Sequence, residues 1–333
     1  MLAAALAIAA VPAIAADGGL LTDVVFTAHA PAARSAELAR RLLSPLAFAR
    51  VRPLLGEAKA EPLDLAKERF VVYVPHGAAP AEGYALLVFI PPWPEATLPK
   101  DWPPALDRHR MIFVSAARSG NDADLLDRRI PLALLGYENI RRRYPIDAGR
   151  VYVGGFSGGS RVALRVAAAY PDLFRGALLD AGSDPVGGDG IVPPPAELFR
   201  RFQESSRIVF VTGDRDEANV HRDLVALKSL REHCVFDTAS LTMPRHGHAV
   251  ADAAGFERAL RALDEPGETD AATLARCRGD LDRAIAAKVA EATAALTSGD
   301  RARADEILTA IDARYGGLAA PSIASLRNRL DGR

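Results

Sequence analysis

The feature of this sequence that most constrains its fold is an alternation of short apolar, β-branched segments with longer helical segments, which begins near residue 69. Short continuous apolar runs are typical of strands covered on both faces, and helices between them supply the crossovers of a parallel sheet. The predicted strands are Phe70–Val74, Ala85–Ile90, Met111–Ser115, Val151–Gly154, Ala177–Asp180, Ile208–Thr212 and Phe236–Thr242. The sequence therefore predicts an α/β fold with a mostly parallel central sheet and flanking helices.

The pattern divides the chain into segments. We expect residues 69–264 to form the main domain and residues 17–68 to form a helical lead-in, with an Arg-rich amphipathic helix over 31–50. Residues 265–333 are purely helical in pattern, which predicts a C-terminal all-helical appendage, a hairpin followed by a short helix at Ser322–Leu330. The apolar face of this hairpin needs a covering surface, which the main domain or an external protein partner could supply.

The first 16 residues carry no charge, and Ala13-Ile14-Ala15 has the small-x-small pattern that signal peptidases recognise. This segment predicts a signal peptide and therefore a periplasmic or secreted protein, with no membrane anchor after removal of the signal. The lack of Lys or Arg before the apolar run is atypical of such signals. A buried Ala-rich helix is the alternative interpretation.

Composition excludes several classes of function. The chain has 41 Lys and Arg against 42 Asp and Glu, so it has no basic field for a phosphate backbone, and we expect no nucleic-acid binding. Only two cysteines are present, Cys234 and Cys277, which excludes a zinc site built from four cysteines. In an oxidising compartment these two could form a disulfide, and otherwise they remain separate thiols.

The pattern G-x-S-x-G occurs where a predicted strand meets a predicted helix, as Gly155-Phe156-Ser157-Gly158-Gly159. A nucleophile elbow needs this composition, because the central Ser takes a strained conformation and small flanking residues let the strand and helix approach closely. We therefore predict that Ser157 is a nucleophile. The alternative is a plain Gly-rich turn between strand and helix.

A serine hydroxyl attacks a carbonyl only if a base accepts its proton, so the elbow predicts an acid and then a histidine downstream. Asp214 and Asp216 follow a predicted strand, at the sheet edge where open α/β folds place their sites. We favour Asp216, which lies farther into the loop. Asp214 is the alternate, and Asp180 is less favoured.

Two histidines, His246 and His248, follow the last predicted strand. We favour His248 as the base, because the flexible Gly247 before it lets the loop bring the ring over Ser157. His246 is the alternate. The pair could also bind a metal with His221 or Asp216, but no carboxylate or third His lies at a telling spacing. We expect neither a metal nor another cofactor.

Acyl transfer also requires hydrogen-bond donors for the oxyanion. We predict the backbone N–H of Gly158, at the start of the following helix, as one donor. The second donor normally comes from the loop after the third strand of the core, where Pro91 and Pro92 have no N–H. Trp93 is the first residue there that can donate. Alternatively, this Pro-rich loop only packs on the sheet.

Two stretches, YPIDAGRVYVGGFSGG over 144–159 and AYPDLF over 169–174, resemble the α/β-hydrolase superfamily. Within it the chain looks similar to polyhydroxybutyrate depolymerases and to feruloyl and acetylxylan esterases, over about residues 69–264. The resemblance implies an α/β-hydrolase fold with Ser157 as nucleophile, Asp216 as acid and His248 as base. The sequence departs from the family at Pro91-Pro92, where the family has a His-Gly oxyanion loop, and in its helical tail.

Three functions follow from these residues. The leading prediction is a secreted serine esterase that acts on a small-molecule ester through an acyl-enzyme. A peptidase of the prolyl-oligopeptidase type would use the same three side chains on an amide. An inactive hydrolase-fold protein, with the helical tail as its docking surface, is the third.

Overall fold

The central sheet has eight strands. The computed structural model of the protein describes residues 18–55, 63–265, 267 and 269–332. The strands are β1 (Gly19–Val24), β2 (Phe70–Val74), β3 (Tyr84–Ile90), β4 (Met111–Ala116), β5 (Ile146–Phe156), β6 (Gly176–Asp180), β7 (Arg207–Gly213) and β8 (Thr238–Met243). Their spatial order is β1-β2-β4-β3-β5-β6-β7-β8. The strand β2 is antiparallel to both neighbours, and the pairs from β4 to β8 are parallel.

All seven predicted strands lie in this sheet, so the predicted fold class is confirmed. The first strand, β1, was not predicted, because its sequence GLLTDV is short, half polar and largely exposed. It pairs with the edge of β2 within the segment predicted to be a helical lead-in. That part of the prediction is therefore wrong. The predicted signal peptide, residues 1–16, lies outside the described residues.

Helices cover both faces of the sheet. They are α1 (Ser35–Leu42), α2 (Pro45–Val51), α3 (Pro103–Arg108), α4 (Ile130–Arg143), α5 (Gly158–Ala169), α6 (Ala196–Ser205), α7 (Glu217–Glu232), α8 (Ala253–Asp264), α9 (Ala271–Thr297), α10 (Arg301–Tyr315) and α11 (Ala320–Leu330). Alternate side chains of one strand enter opposite layers: Leu86 and Val88 face the layer of α4 and α5, and Leu87 and Phe89 face that of α3 and α8. None of the helices within the described ranges combines the length and the apolar character needed to span a bilayer.

The lead-in contains two helices where the sequence predicted one over residues 31–50. The first, α1, ends at Leu42, and α2 begins at Pro45 after Ser44. The Ser44 hydroxyl accepts a hydrogen bond from Ala47 N at 3.3 Å. Ser at an N-cap and Pro at the first helical position favour a new helix start, which explains the break.

The tail α9–α11 forms the predicted all-helical appendage. Its helices share a buried apolar cluster that includes Ile307, Leu308 and Ile323. Polar contacts tie the tail to the main body: the Arg278 guanidinium donates to Gln203 Oε1 at 2.6 Å, and Asp312 accepts from Leu46 N at 3.0 Å. Surfaces of the same chain therefore cover part of the tail.

A disulfide joins the tail to the main body. The structure pairs Cys234, after α7, with Cys277 on α9, across 43 positions of sequence. Cys234 is fully buried. The sequence left open whether the two cysteines form a disulfide or remain separate thiols, and in the structure they form the disulfide.

Candidate active site

The turn between β5 and α5 is strained at its centre. Ser157 has φ +54° and ψ −116°, although a positive φ is uncommon for a residue with a side chain. Its backbone N–H donates to the Asp180 carbonyl at 2.7 Å, which secures the strained residue to the neighbouring strand β6. Such strain is found where a site requires it, and here it lifts the hydroxyl above the sheet edge.

The glycines on either side of Ser157 make this turn sterically feasible. A Cβ at Gly155 would lie 2.7 Å from the Ile90 carbonyl oxygen, and a Cβ at Gly159 would overlap the same oxygen. A residue with a side chain at either position would therefore push α5 away from β3. The two glycines of the G-x-S-x-G pattern have the packing role that the sequence predicted for them.

The structure brings Ser157, His248 and Asp216 together. His248 Nε2 lies 3.0 Å from Ser157 Oγ, and His248 Nδ1 lies 2.6 Å from Asp216 Oδ2. The imidazole stacks on the Phe156 ring at a centroid distance of 4.8 Å. The His248 side chain is 44% exposed, whereas that of Asp216 is 7% exposed. A buried carboxylate, a half-buried imidazole and a serine hydroxyl thus form one hydrogen-bonded series that opens to solvent.

Asp216 remains ionised despite its burial. It lies between the end of β7 and the start of α7, where Asn219 Nδ2 donates to its two oxygens at 3.0 and 2.8 Å. Burial raises the pKa of this carboxyl, but the hydrogen bonds from Asn219 and His248 outweigh burial and hold the pKa below its usual value. The carboxylate is therefore charged at neutral pH and can orient the imidazole.

Asn219 is a site residue that the sequence reading missed. It is buried in the first turn of α7, and its Nδ2 also lies 3.0 Å from His248 Nδ1. The signal available in the sequence was its position three residues after Asp216, which places both side chains on one face of a helix start. That spacing alone occurs at many helix N-termini, so it could not single out Asn219.

The loop that carries His248 is held at both ends. Before the histidine, the His246 carbonyl accepts from Arg215 N at 2.9 Å. After it, Ala251 N donates to Asp180 Oδ2, and Ala251 O accepts from the Trp102 indole, both at 2.8 Å. Burial raises the pKa of Asp180 well above its usual value. Asp180 thus anchors the histidine loop, and the described structure gives it no hydrogen bond with the imidazole.

The two alternates, Asp214 and His246, have other contacts. The Asp214 backbone N–H donates to Met243 O at 3.1 Å, and its side chain is exposed in the turn. The ring of His246 lies 2.9 Å from Pro244 O and 3.3 Å from Asp252. Within the described part of the chain, neither residue hydrogen bonds with Ser157. The residues that form the hydrogen-bonded series with Ser157 are Asp216 and His248.

The two predicted oxyanion donors, Gly158 and Trp93, differ in their contacts. Gly158 begins α5 beside the nucleophile, where its N–H is free of the helix ladder. The Trp93 indole instead donates to Thr97 Oγ1 at 3.1 Å, and its ring lies 6.0 Å from that of Phe156. The Trp93 ring is therefore a wall of the site. Its backbone N–H has no acceptor among the described residues and stays a predicted donor.

Metal ligands are not grouped in the described ranges: no three or more His, Cys, Asp or Glu side chains there are arranged to hold an ion. His221, a possible third ligand by sequence, is exposed on α7.

Comparison with known proteins gives structural likenesses only. No protein-family model matches the chain, and no curated protein matches it in sequence. Three similar solved structures are a Bacteroides ovatus protein described as of the dipeptidyl aminopeptidase IV type, a thermostable esterase, and LpqC, a poly(3-hydroxybutyrate) depolymerase from Bordetella parapertussis.

Their sequence identities to this chain are 16%, 19% and 17%, with TM-scores of 0.44, 0.42 and 0.44. The matches cover 60%, 60% and 63% of this chain and 34%, 60% and 88% of the respective structures. This chain thus spans about a third of the first structure and about three fifths of the second. The strand order, the reversed β2 and the sharp turn at Ser157 are features of the chain itself. By these features the chain has the α/β-hydrolase fold.

Proposed function

We propose that the protein is a serine hydrolase that cleaves carboxylic esters through a covalent acyl-enzyme. The observation that carries this proposal is the hydrogen-bonded series from Ser157 Oγ to His248 Nε2 at 3.0 Å and from His248 Nδ1 to Asp216 at 2.6 Å. Both distances are within the range in which a base takes a proton from a nucleophile and is itself oriented by an acid.

In acylation, Ser157 Oγ attacks the ester carbonyl carbon while its proton passes to His248 Nε2. The carbonyl π electrons move to the oxygen, and a tetrahedral oxyanion forms. When that intermediate collapses, the C–O bond to the alcohol breaks, and His248 returns the proton to the leaving oxygen. The charged Asp216 stabilises the imidazolium formed in between.

In deacylation, water takes the place of the alcohol. His248 accepts a proton from water as the water oxygen attacks the acyl carbon. The bond from the acyl carbon to Ser157 Oγ then breaks, and His248 returns the proton to Oγ. The products are a carboxylic acid and the free serine, so the cycle needs no cofactor. The neutral imidazole is the form that acts as base.

We also propose that the protein works in the periplasm or outside the cell. The disulfide between Cys234 and Cys277 supports this compartment, because disulfides persist in oxidising surroundings and are rare in the cytosol. The charge-free segment 1–16 supports the same location. Fractionation of producing cells, with detection of the protein outside the cytoplasm and determination of its N-terminal residue, tests both points.

The central experiment is fluorophosphonate labelling together with hydrolysis of p-nitrophenyl butyrate by Ser157→Ala. The matched control is Ser160→Ala, three residues further on, whose buried hydroxyl has no hydrogen-bond partner among the described residues. We expect Ser157→Ala to lose labelling and turnover and Ser160→Ala to keep both. Labelling that survives in Ser157→Ala, or a folded wild-type protein that neither labels nor hydrolyses the ester, contradicts the proposal.

An aminoacyl p-nitroanilide separates ester from amide chemistry. The ester releases p-nitrophenolate and the anilide releases p-nitroaniline, so each cleavage is followed by absorbance with its own extinction coefficient. Hydrolysis of the anilide at a rate equal to or above that of the butyrate ester would favour the peptidase alternative.

A further inference from the structure

The proposed reaction needs two hydrogen bonds at one oxygen, and the loop that usually supplies the second donor offers no backbone N–H before that of Trp93 here. Negative charge develops on the carbonyl oxygen as Ser157 attacks, and donors fixed in advance lower the barrier most. Gly158 N–H is one such donor. In the loop after β3, neither Pro91 nor Pro92 has an N–H. A donor from elsewhere in the fold would compensate for this loss.

A side-chain amide from another loop lies beside Gly158. Asn121 belongs to the loop between β4 and α4, and its amide occupies the space that a side chain at position 158 would fill. A Cβ at Gly158 would overlap Asn121 Oδ1, the nearest atom of the amide, and would lie 2.7 Å from Asn121 Cγ and 3.0 Å from Asn121 Nδ2. The glycine after the nucleophile therefore has a specific consequence: it leaves room for this amide next to the predicted oxyanion donor.

The Asn121 loop is held against the Pro-rich loop at the backbone level. Asn121 N donates to Pro92 O at 3.0 Å. Gly120 packs so closely that a Cβ there would lie 2.9 Å from the Trp93 carbonyl carbon and 3.0 Å from Pro94 N. These contacts fix the position from which the Asn121 side chain extends.

A buried arginine joins the same two loops. Arg129 donates from Nε to Ser119 O at 2.9 Å and from Nη2 to Pro91 O at 3.0 Å. Burial lowers the pKa of this guanidinium to about 10. One buried guanidinium thus hydrogen bonds with carbonyls of both loops, and this contact constrains their relative position. The amide is thus carried on a rigid support, as oxyanion stabilisation requires.

The Asn121 side chain is available for a ligand. It is exposed and has no hydrogen-bond partner among the described residues. A half-turn about the Cβ–Cγ bond exchanges Oδ1 and Nδ2, so the amide can present its N–H to an acceptor at this place.

We infer that the Asn121 side-chain amide, together with Gly158 N–H, binds the oxyanion during ester hydrolysis and takes the role that Pro91 and Pro92 cannot fill. This inference rests on the proposed function. The amide gains a charged acceptor only when the carbonyl oxygen becomes an oxyanion. Its contribution should therefore be seen in kcat more than in KM.

The test compares Asn121→Ala and Asn121→Asp with Asn328→Ala in the full chain. Asn328 is an exposed asparagine on α11, far along the chain from the site, and serves as the matched control. Loss of one oxyanion donor lowers kcat by about 100-fold to 1,000-fold in enzymes of this kind. We expect such a loss for Asn121→Ala on p-nitrophenyl butyrate, with KM changed less than about threefold, and an equal or larger loss for the negatively charged Asn121→Asp.

The affinity for a trifluoromethyl ketone inhibitor is a second measurement, which would not change if Asn121 had a purely structural role. The adduct of the ketone with Ser157 carries an oxygen anion where the reaction develops one, so its affinity should fall in proportion to kcat/KM in the Asn121 variants. A kcat of Asn121→Ala within threefold of wild type, or a lower kcat with unchanged ketone affinity, overturns the inference and leaves the proposed function standing. A wild-type protein that hydrolyses no ester overturns the proposed function and this inference with it.

Discussion

A buried carboxyl group on α7 makes the stability of this protein depend on pH in a predictable direction. Asp223 is buried and accepts a hydrogen bond from the Thr212 hydroxyl at the end of β7. Burial raises the pKa of Asp223 from 3.8 to about 6, and the hydrogen bond from Thr212 opposes that rise only in part. The folded protein therefore retains this proton at pH values where the unfolded chain has lost it.

The sign and size follow from proton linkage. Well below pH 3.8 the carboxyl is protonated in both states and does not change the free energy of unfolding. As the pH rises toward 6, the carboxyl ionises in the unfolded state but not yet in the folded state. This ionisation lowers the free energy of the unfolded state relative to that of the folded state. At about 1.4 kcal/mol for each unit, the raised pKa lowers the free energy of unfolding by about 1 kcal/mol at pH 4.5 and about 3 kcal/mol at pH 7.5.

Asp223→Asn removes this dependence, because asparagine is neutral at every pH. Urea unfolding of wild type and variant at the two pH values gives the difference in their free energies of unfolding. We expect that difference to shift in favour of the variant by about 2 kcal/mol between pH 4.5 and pH 7.5. If the asparagine amide changes the free energy of unfolding by the same amount at both pH values, that change cancels in this comparison. Asp282→Asn, at an exposed site on α9, is the control and should show no such shift.

A constant difference between wild type and Asp223→Asn across this pH range, to within about 0.5 kcal/mol, would refute the reasoning. It would mean that Asp223 ionises in the folded protein as readily as in the unfolded chain. A shift in the opposite direction would mean that its hydrogen bonds outweigh its burial.

Three further perturbations test other parts of the structure. Replacing Cys234 and Cys277 by Ser opens a loop of 43 residues, which should lower the free energy of unfolding by about 4 kcal/mol in urea titrations; equal stability would count against the bridge. Trp102→Phe keeps an aromatic ring but leaves the Ala251 carbonyl without its donor, which should cost about 2 kcal/mol of stability. Asp216→Asn should lower kcat for a p-nitrophenyl ester about 1,000-fold or more with little change in circular dichroism; a loss below tenfold would remove Asp216 from the mechanism.

Local sequence patterns were sufficient for most of the main domain. Six of the seven predicted strands are runs of mostly apolar residues buried on both faces, and such a run is recognisable without its neighbours. The seventh, Phe236–Thr242, is half-buried or exposed at the edge of the sheet. The elbow was also recognisable without its neighbours, since Gly155, Ser157 and Gly159 are needed by a turn within one short segment. The edge strand β1 was missed because most of its residues face solvent, so burial imposes no pattern on them.

The sequence by itself thus determined the fold class, the order Ser157, Asp216, His248 and the helical character of the tail. Only the tertiary structure decided what surrounds those three residues. Asn219 and Asn121 reach the site from a helix start and from a loop on another strand, and no period or spacing marks a contact of that kind. The periodicity of apolar residues along a helix or strand indicates which of its faces is buried. Which distant side chain fills the space beside a glycine depends on how the loops pack, and that is settled only when the whole sheet is assembled.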